Sequence, residues 1–174
     1  AIREIDRLDL ILARLLSFGR PALQGRRVQD VAPVLARAAS LVQDQCQKKG
    51  VGIAVEVEDA AGLRADVDAP QIEQVLINLL LNAIEASPAG GRVRLAARRQ
   101  DGRLRITVAD EGPGIPAESQ AHIFDAYYTT KPEGAGLGLA VSREIVANHS
   151  GELSLAPGGP GATFLVDLPL ERGS

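Results

Sequence analysis

The sequence predicts an α+β fold: a two-layer α/β sandwich in which a mixed, mostly antiparallel sheet is covered by helices. Two observations carry that expectation. Short stretches with apolar residues at every second position are interspersed with longer ones whose apolar residues recur at spacings of three and four. In addition, Asp101-Gly102 joins two alternating stretches, a strong signal for a tight hairpin. The 174 residues suffice for one domain with a real core plus an appendage.

Residues Ala1–Gly19 read as an amphipathic helix, with Ile2, Ile5, Leu8, Leu12, Leu15 and Leu16 on one face. Gly19-Arg20-Pro21 ends it, because proline disfavours a helical residue before it. A second helix is expected over Val31–Lys49, with Asp30 as N-cap, Pro33 in the first turn and Gly50 as the stop. Val51–Val57 alternates as a strand, with Leu63–Val67 as a short partner. Asp68 opens a long helix over Pro70–Ser87 whose apolar face is Ile72, Val75, Leu76, Leu79, Leu80 and Ala83. Arg92–Arg99 and Arg103–Ala109 are the hairpin strands, with Arg98-Arg99 as a solvated strand end. A short helix is expected over Glu118–Phe124 and a longer one over Leu137–Ser150. Two last strands, Glu152–Ala156 and Thr163–Leu168, flank a Pro/Gly turn.

Composition narrows the function classes. A formal net charge of -3 gives no global basic field for nucleic acid or an acidic membrane surface. The single cysteine, Cys46, forbids an intramolecular disulfide and suits a reducing compartment, with the side chain as a small apolar filler. Two histidines and one cysteine cannot build the usual four-ligand zinc site. There is no signal-peptide pattern and no apolar run of about 18 residues, so no direct membrane contact is expected.

Four stretches carry chemistry. In QVLINLLLNAIEA (Gln74–Ala86), Asn78 and Asn82 lie four apart on one helix face. Asparagine is a poor helix former, so two of them in a leucine run need a reason. Either they are buried amides bonded to a neighbouring loop, or one offers a carbonyl oxygen to Mg²⁺, which takes hard oxygen ligands and leaves its other positions to phosphates and water. In ITVADEGPGI (Ile106–Ile115), Asp110 falls at a strand end before Gly112 and Gly114. A carboxylate there either caps a turn or accepts a hydrogen bond from an amino group such as adenine's, and the glycines let backbone approach a flat ring. In IFDAYYTTK (Ile123–Lys131), Phe124 and Tyr127 are expected to pin the loop to the core, leaving Tyr128, Thr129, Thr130 and Lys131 to line a pocket. GAGLGLAVSREIVANHSG (Gly134–Gly151) runs from glycines into a helix, whose free N–H groups and positive end suit an anion such as triphosphate. It is not a Gly-x-x-x-x-Gly-Lys-Ser/Thr loop, and no convincing strand feeds it as a dinucleotide fold requires.

These four stretches, in this order, resemble the N, G1, F and G2 boxes of the histidine-kinase ATPase superfamily, which also contains gyrase-type and mismatch-repair ATPases. The likeness runs from about Asp68 to Pro169, and GATFLVDLPL resembles the family's closing segment. What the resemblance implies is ATP with Mg²⁺ under a flexible lid. Asp110 would bind the adenine amino group, Asn82 would ligate Mg²⁺ and Asn78 would support the phosphate side. Gly136, Leu137 and Gly138 would meet the phosphates. Glu85, Ala86, Gly112, Gly114, Ile115, Ile123, Tyr128, Thr129, Thr130, Gly134, Leu139 and Thr163 would complete the pocket. Some kinases of the family carry lysine where this chain has Glu85, and Lys131 would supply that positive charge instead. Ala162 stands where many members have a hydroxyl residue, with Thr163 next to it. The lid from Lys131 to Gly136 is short.

The gyrase-like branch carries a glutamate base where this chain has Asn78, and a neutral amide cannot take a proton. Phosphoryl transfer is therefore expected rather than rapid hydrolysis. EIDRLDLILARLLSFGRP (Glu4–Pro21) resembles the second helix of a sensor histidine kinase's dimerisation hairpin. Residues 1–20 would be that helix and 21–174 the ATP-binding catalytic domain, with Arg20-Pro21 as a hinge. The acceptor histidine would lie on a helix not included in this chain, since neither His122 nor His149 follows the acceptor pattern. The expected partners are a response-regulator receiver domain and, through the hairpin, a second copy of the intact protein. The expected location is cytoplasmic. Two alternatives share the pocket: a serine kinase of the anti-sigma type and an ATP-binding pseudokinase scaffold.

Overall fold

The computed structural model describes residues 25–59, 62–130 and 136–171. The expected helix at Ala1–Gly19 and the Arg20-Pro21 hinge lie outside the described residues, as do Lys131 and Gly134.

The elements run β1 (Arg27–Asp30), α1 (Ala32–Leu41), α2 (Gln43–Lys49), β2 (Gly52–Val57), β3 (Arg64–Val67), α3 (Ala69–Ala86), β4 (Arg92–Gln100), β5 (Arg103–Ala109), α4 (Ala117–Gln120), α5 (Gly138–Asn148), β6 (Glu152–Leu155) and β7 (Thr163–Pro169). A five-stranded sheet has the order β2-β4-β5-β7-β6, and β1 and β3 form a separate two-stranded ribbon. Only β2·β4 is parallel within the larger sheet, so the sheet is mixed and mostly antiparallel as expected. Parallel neighbours need a crossover, and the chain makes it through β3 and α3.

Alternation places Val93, Leu95 and Ala97 of β4, Leu104, Ile106 and Val108 of β5, and Phe164, Val166 and Leu168 of β7 on one buried face. Helix α3 packs on β4 and β5 with α1 and α5 to either side. Its stripe of Ile72, Val75, Leu76, Leu79, Leu80 and Ala83 is buried as the periodicity requires. Burying each such leucine contributes about 1.5–3 kcal/mol, so this one helix supplies much of the driving force. The N-cap is Asp68, whose side chain accepts from the Gln71 N–H. The opposite sheet face is polar. There Arg105 and Asp167 sit in register and form a bidentate pair at 2.8 and 2.9 Å. Between β4 and β5, Asp101 and Gly102 take φ of 52° and 73°, as a type I′ turn requires. Arg98 and Arg99 are exposed near the end of β4.

Four expectations need correction. The single helix over Val31–Lys49 is two, broken at Val42, where the N–H reaches back only three residues to the Ala39 carbonyl. Asp30 is not the N-cap residue. It ends β1, and its carboxylate takes the Ala32 N–H from one place earlier while Val31 holds the cap position. The strand near Leu63 does not partner β2. It pairs antiparallel with β1, which the sequence did not reveal, and the Val31 N–H extends that pairing to the Leu63 carbonyl. The helix expected over Glu118–Phe124 stops at Gln120, and i-to-i+3 turns carry the chain on through His122 and Asp125.

Candidate functional site

The site grows from the end of β5. Asp110 continues the ladder one residue beyond the strand, its N–H donating to the Ala162 carbonyl at 3.0 Å. Its Oδ1 accepts from the N–H groups of Gly112 (2.9 Å) and Ala162 (3.1 Å). Oδ2 makes no hydrogen bond among the described residues. One oxygen of the carboxylate therefore ties the turn, as one of the two expected roles requires. Two glycines permit this packing. A Cβ on Gly161 would sit 2.0 Å from the Asp110 carbonyl oxygen, and one on Gly112 would sit 2.5 Å from that of Ala86. Gly114 has a φ of 78° and lies against the Pro160–Gly161 backbone, while Ile115 packs on the core.

On α3, Asn78 is only 3% exposed. Its Nδ2 donates to Ser142 Oγ at 3.2 Å and approaches the Gly138 carbonyl at 3.5 Å. Asn82, one turn on, is half-buried on the same side. Glu85 and Ala86 are exposed at the helix end, where Lys49 donates to the Glu85 carbonyl at 2.9 Å. Helix α5 starts at Gly138 with Leu137 as N-cap, which gives no side-chain hydrogen bond to its first N–H groups. Leu137 is buried and Leu139 packs against the core.

The third stretch departs from expectation. Ile123 is buried, and Phe124 packs edge-on against Phe164 at 6.2 Å with the Arg143 guanidinium over its ring. Tyr127 does not pin the loop. It is 72% exposed and sits at a φ of 68°, an unusual conformation for a bulky residue. Its neighbour Tyr128 does the pinning, half-buried with its hydroxyl donating to Ser119 at 3.1 Å. Thr129 and Thr130 are exposed. The Tyr127 N–H donates to the Gly136 carbonyl at 2.8 Å, and Gly136 has no room for a Cβ, which would meet Tyr127 backbone at 2.4 Å. Thr163 also differs from expectation. It pairs with Ala109 and alternates with buried Ala162 and Phe164, so it belongs to the open sheet face, and it is the Ala162 N–H that reaches Asp110. Two features escaped the sequence reading. Gly161 was one glycine among several in a Pro/Gly turn, and Ser142 was an unremarked residue in a helix.

Both histidines fill the ordinary roles expected of them. His122 is exposed, with Nδ1 3.1 Å from Asp125. His149 is 1% exposed with both ring nitrogens engaged. Nδ1 donates to the Ile145 carbonyl at 2.8 Å, and Nε2 accepts from the Asp68 N–H at 3.0 Å. The neutral ring thus ties the end of α5 to the cap of α3. Burial lowers the His149 pKa, outweighing the Ile145 carbonyl and the carboxylates of Asp68 and Asp66, which favour the charged ring, while Arg26 adds to the lowering. The folded state therefore binds fewer protons than the unfolded one. The stability this gives is full above the unfolded value of about 6.5 and is lost as pH falls through the lowered value. Melting temperature should drop on acidification in the wild type more than in His149→Gln. Parallel pH profiles of the two would refute the linkage.

No group of three or more His, Cys, Asp or Glu that could hold a metal occurs among the described residues. An amide oxygen such as that of Asn82 is the kind of hard ligand Mg²⁺ takes when phosphates and water fill its other positions. Among the described residues no helix is long and apolar enough to cross a membrane.

The family model for histidine kinase-, DNA gyrase B-, and HSP90-like ATPases matches residues 67–172. The chain belongs to this ATPase family. Within it, the likeness is to sensor histidine kinases. Sensor histidine kinase ZraS of Klebsiella oxytoca is 37% identical over 97% of this chain, which spans 37% of that protein. Full-length ShkA in complex with AMPPNP superposes with a TM-score of 0.82 at 31% identity, covering 97% of this chain and 37% of ShkA. Histidine kinase ThkA in complex with response regulator protein TrrA gives 0.79 at 26% identity, covering 98% of this chain and 49% of ThkA. Histidine kinase catalytic domains share this α+β architecture, and membership of an ATPase family makes ATP the expected nucleotide of the pocket.

Proposed function

We propose that this chain is the ATP-binding catalytic part of a sensor histidine kinase. It binds ATP with Mg²⁺ and presents the γ-phosphoryl to a histidine on a helix outside the chain, for relay to a response-regulator receiver domain. The observation that carries this is the meeting of the asparagine face of α3 with the uncapped start of α5, joined by Asn78, Ser142 and Gly138. That juxtaposition supports a reading in which an oxygen donor for a cation would lie beside a site for anionic phosphate. Mg²⁺, when bound, would neutralise charge on the phosphates. Asn82 would hold it, the first turn of α5 would cradle the phosphates, and Asp110 Oδ2 would accept from the adenine amino group. Asn78 has its amide committed to α5 and carries no base, so transfer to a positioned side chain is favoured over attack by water. The sensor-kinase relatives support histidine as acceptor over a serine-kinase or pseudokinase reading. We assign residues 21–174 to the catalytic domain, residues 1–20 to the dimerisation hairpin of a homodimeric parent, and the whole to the cytoplasm.

Calorimetry of ATP binding with Mg²⁺ and with EDTA tests the pocket. Metal-enhanced binding with slow hydrolysis is the expected result, and no binding would overturn the reading. Asn82→Ala should abolish the metal enhancement, and an enhancement that persists would mean another residue is the ligand. The chain alone should acquire no acid-labile phosphate from labelled ATP.

A further inference from the structure

We propose that Ser142 is a positioning residue for the magnesium-dependent part of nucleotide binding, an inference that rests on the ATP and Mg²⁺ reading above. Ser142 is 0% exposed on α5, among the buried residues Val141, Ile145 and Val146. Packing alone gives no reason for a hydroxyl there. Alanine would suit the helix better, and a buried hydroxyl is costly unless it is hydrogen-bonded. Its partner is Asn78 Nδ2 at 3.2 Å, from a side chain that is itself 3% exposed. Two polar groups in an otherwise apolar helix contact are thus hydrogen-bonded to each other.

Their placement links two parts of the site. Asn78 lies one helical turn before Asn82, and Ser142 one turn after Gly138, whose carbonyl is 3.5 Å from the same Nδ2. Apolar contact between helices is non-directional and tolerates small slides, whereas a hydrogen bond fixes the register. A nucleotide carrying Mg²⁺ must satisfy Asn82 on α3 and the start of α5 together, so it depends on their separation. A metal-free nucleotide engages α5 and Asp110 and makes no demand on Asn82. Losing the Ser142 hydroxyl should therefore penalise the metal-dependent component.

The experiment compares wild type, Ser142→Ala and Ser142→Thr in the 174-residue chain. It measures ATP affinity with Mg²⁺ and with EDTA, and thermal melting alongside. Ser142→Ala should lose roughly three- to tenfold of the Mg²⁺ enhancement, the range of one net hydrogen bond, while affinity in EDTA changes little. Ser142→Thr, which keeps the hydroxyl, should restore it. An alanine variant with the wild-type enhancement, whatever its melting temperature, overturns the inference and reduces Ser142 to packing. So does an equal loss of affinity in both conditions, or a threonine variant that behaves like alanine. A wild type that binds ATP equally with and without Mg²⁺ removes the underlying reading as well, which distinguishes that failure from this one.

Discussion

Asp110→Ala should weaken ATP binding by about 10- to 150-fold, the range for a hydrogen bond to a charged group. The alanine also strips the acceptor from the Gly112 and Ala162 N–H groups, so part of its effect will be a loosened turn. Asp110→Asn separates the two contributions. Its amide oxygen can keep both backbone bonds, whereas its NH₂ group would face the adenine amino group donor to donor. The asparagine variant should melt near the wild-type temperature yet bind ATP as poorly as alanine does. If it binds like wild type in calorimetry, Asp110 is a turn cap and does not recognise the base.

Gly161→Ala should be the most damaging single-methyl change near the site. The added carbon would lie 2.0 Å from the Asp110 carbonyl oxygen and 2.8 Å from Oδ1, so β7's entry and the Asp110 turn cannot both keep their places. A destabilisation of about 3 kcal/mol, the upper end for overpacking, corresponds to a melting temperature lower by roughly 6–12 °C for a domain of this size. Nucleotide affinity should fall with it, because the displaced group is the proposed adenine acceptor. Wild-type melting and affinity in this variant would mean that the two segments approach less closely in solution.

What the sequence made legible is what local periodicity can encode. The alternating strands, the Asp101-Gly102 hairpin and the buried stripe of α3 all appear as expected. What it hid is non-local or runs against propensity. Nothing near Arg27–Asp30 announces a strand, because its partner lies beyond α1, α2 and β2. Tyr127 has no business at positive φ by its own preference, so assigning it to the core was the natural error. The site divided the same way. The spacing of the asparagines showed a shared face, but not that Asn78 donates its amide N–H to Ser142 across the contact with α5. Thr163 was placed by motif analogy, and strand alternation put it on the other side of the sheet.

The Tyr127–Gly136 hydrogen bond bears on how the segment between its partners can vary in length. It holds the two ends of the intervening segment together. Once the ends are pinned, lengthening a flexible loop costs only a logarithmic entropy, about 0.6 kcal/mol for each doubling. An insertion placed after Thr130 should therefore cost little stability, because the Tyr127–Gly136 bond and the Tyr128–Ser119 anchor would both be kept.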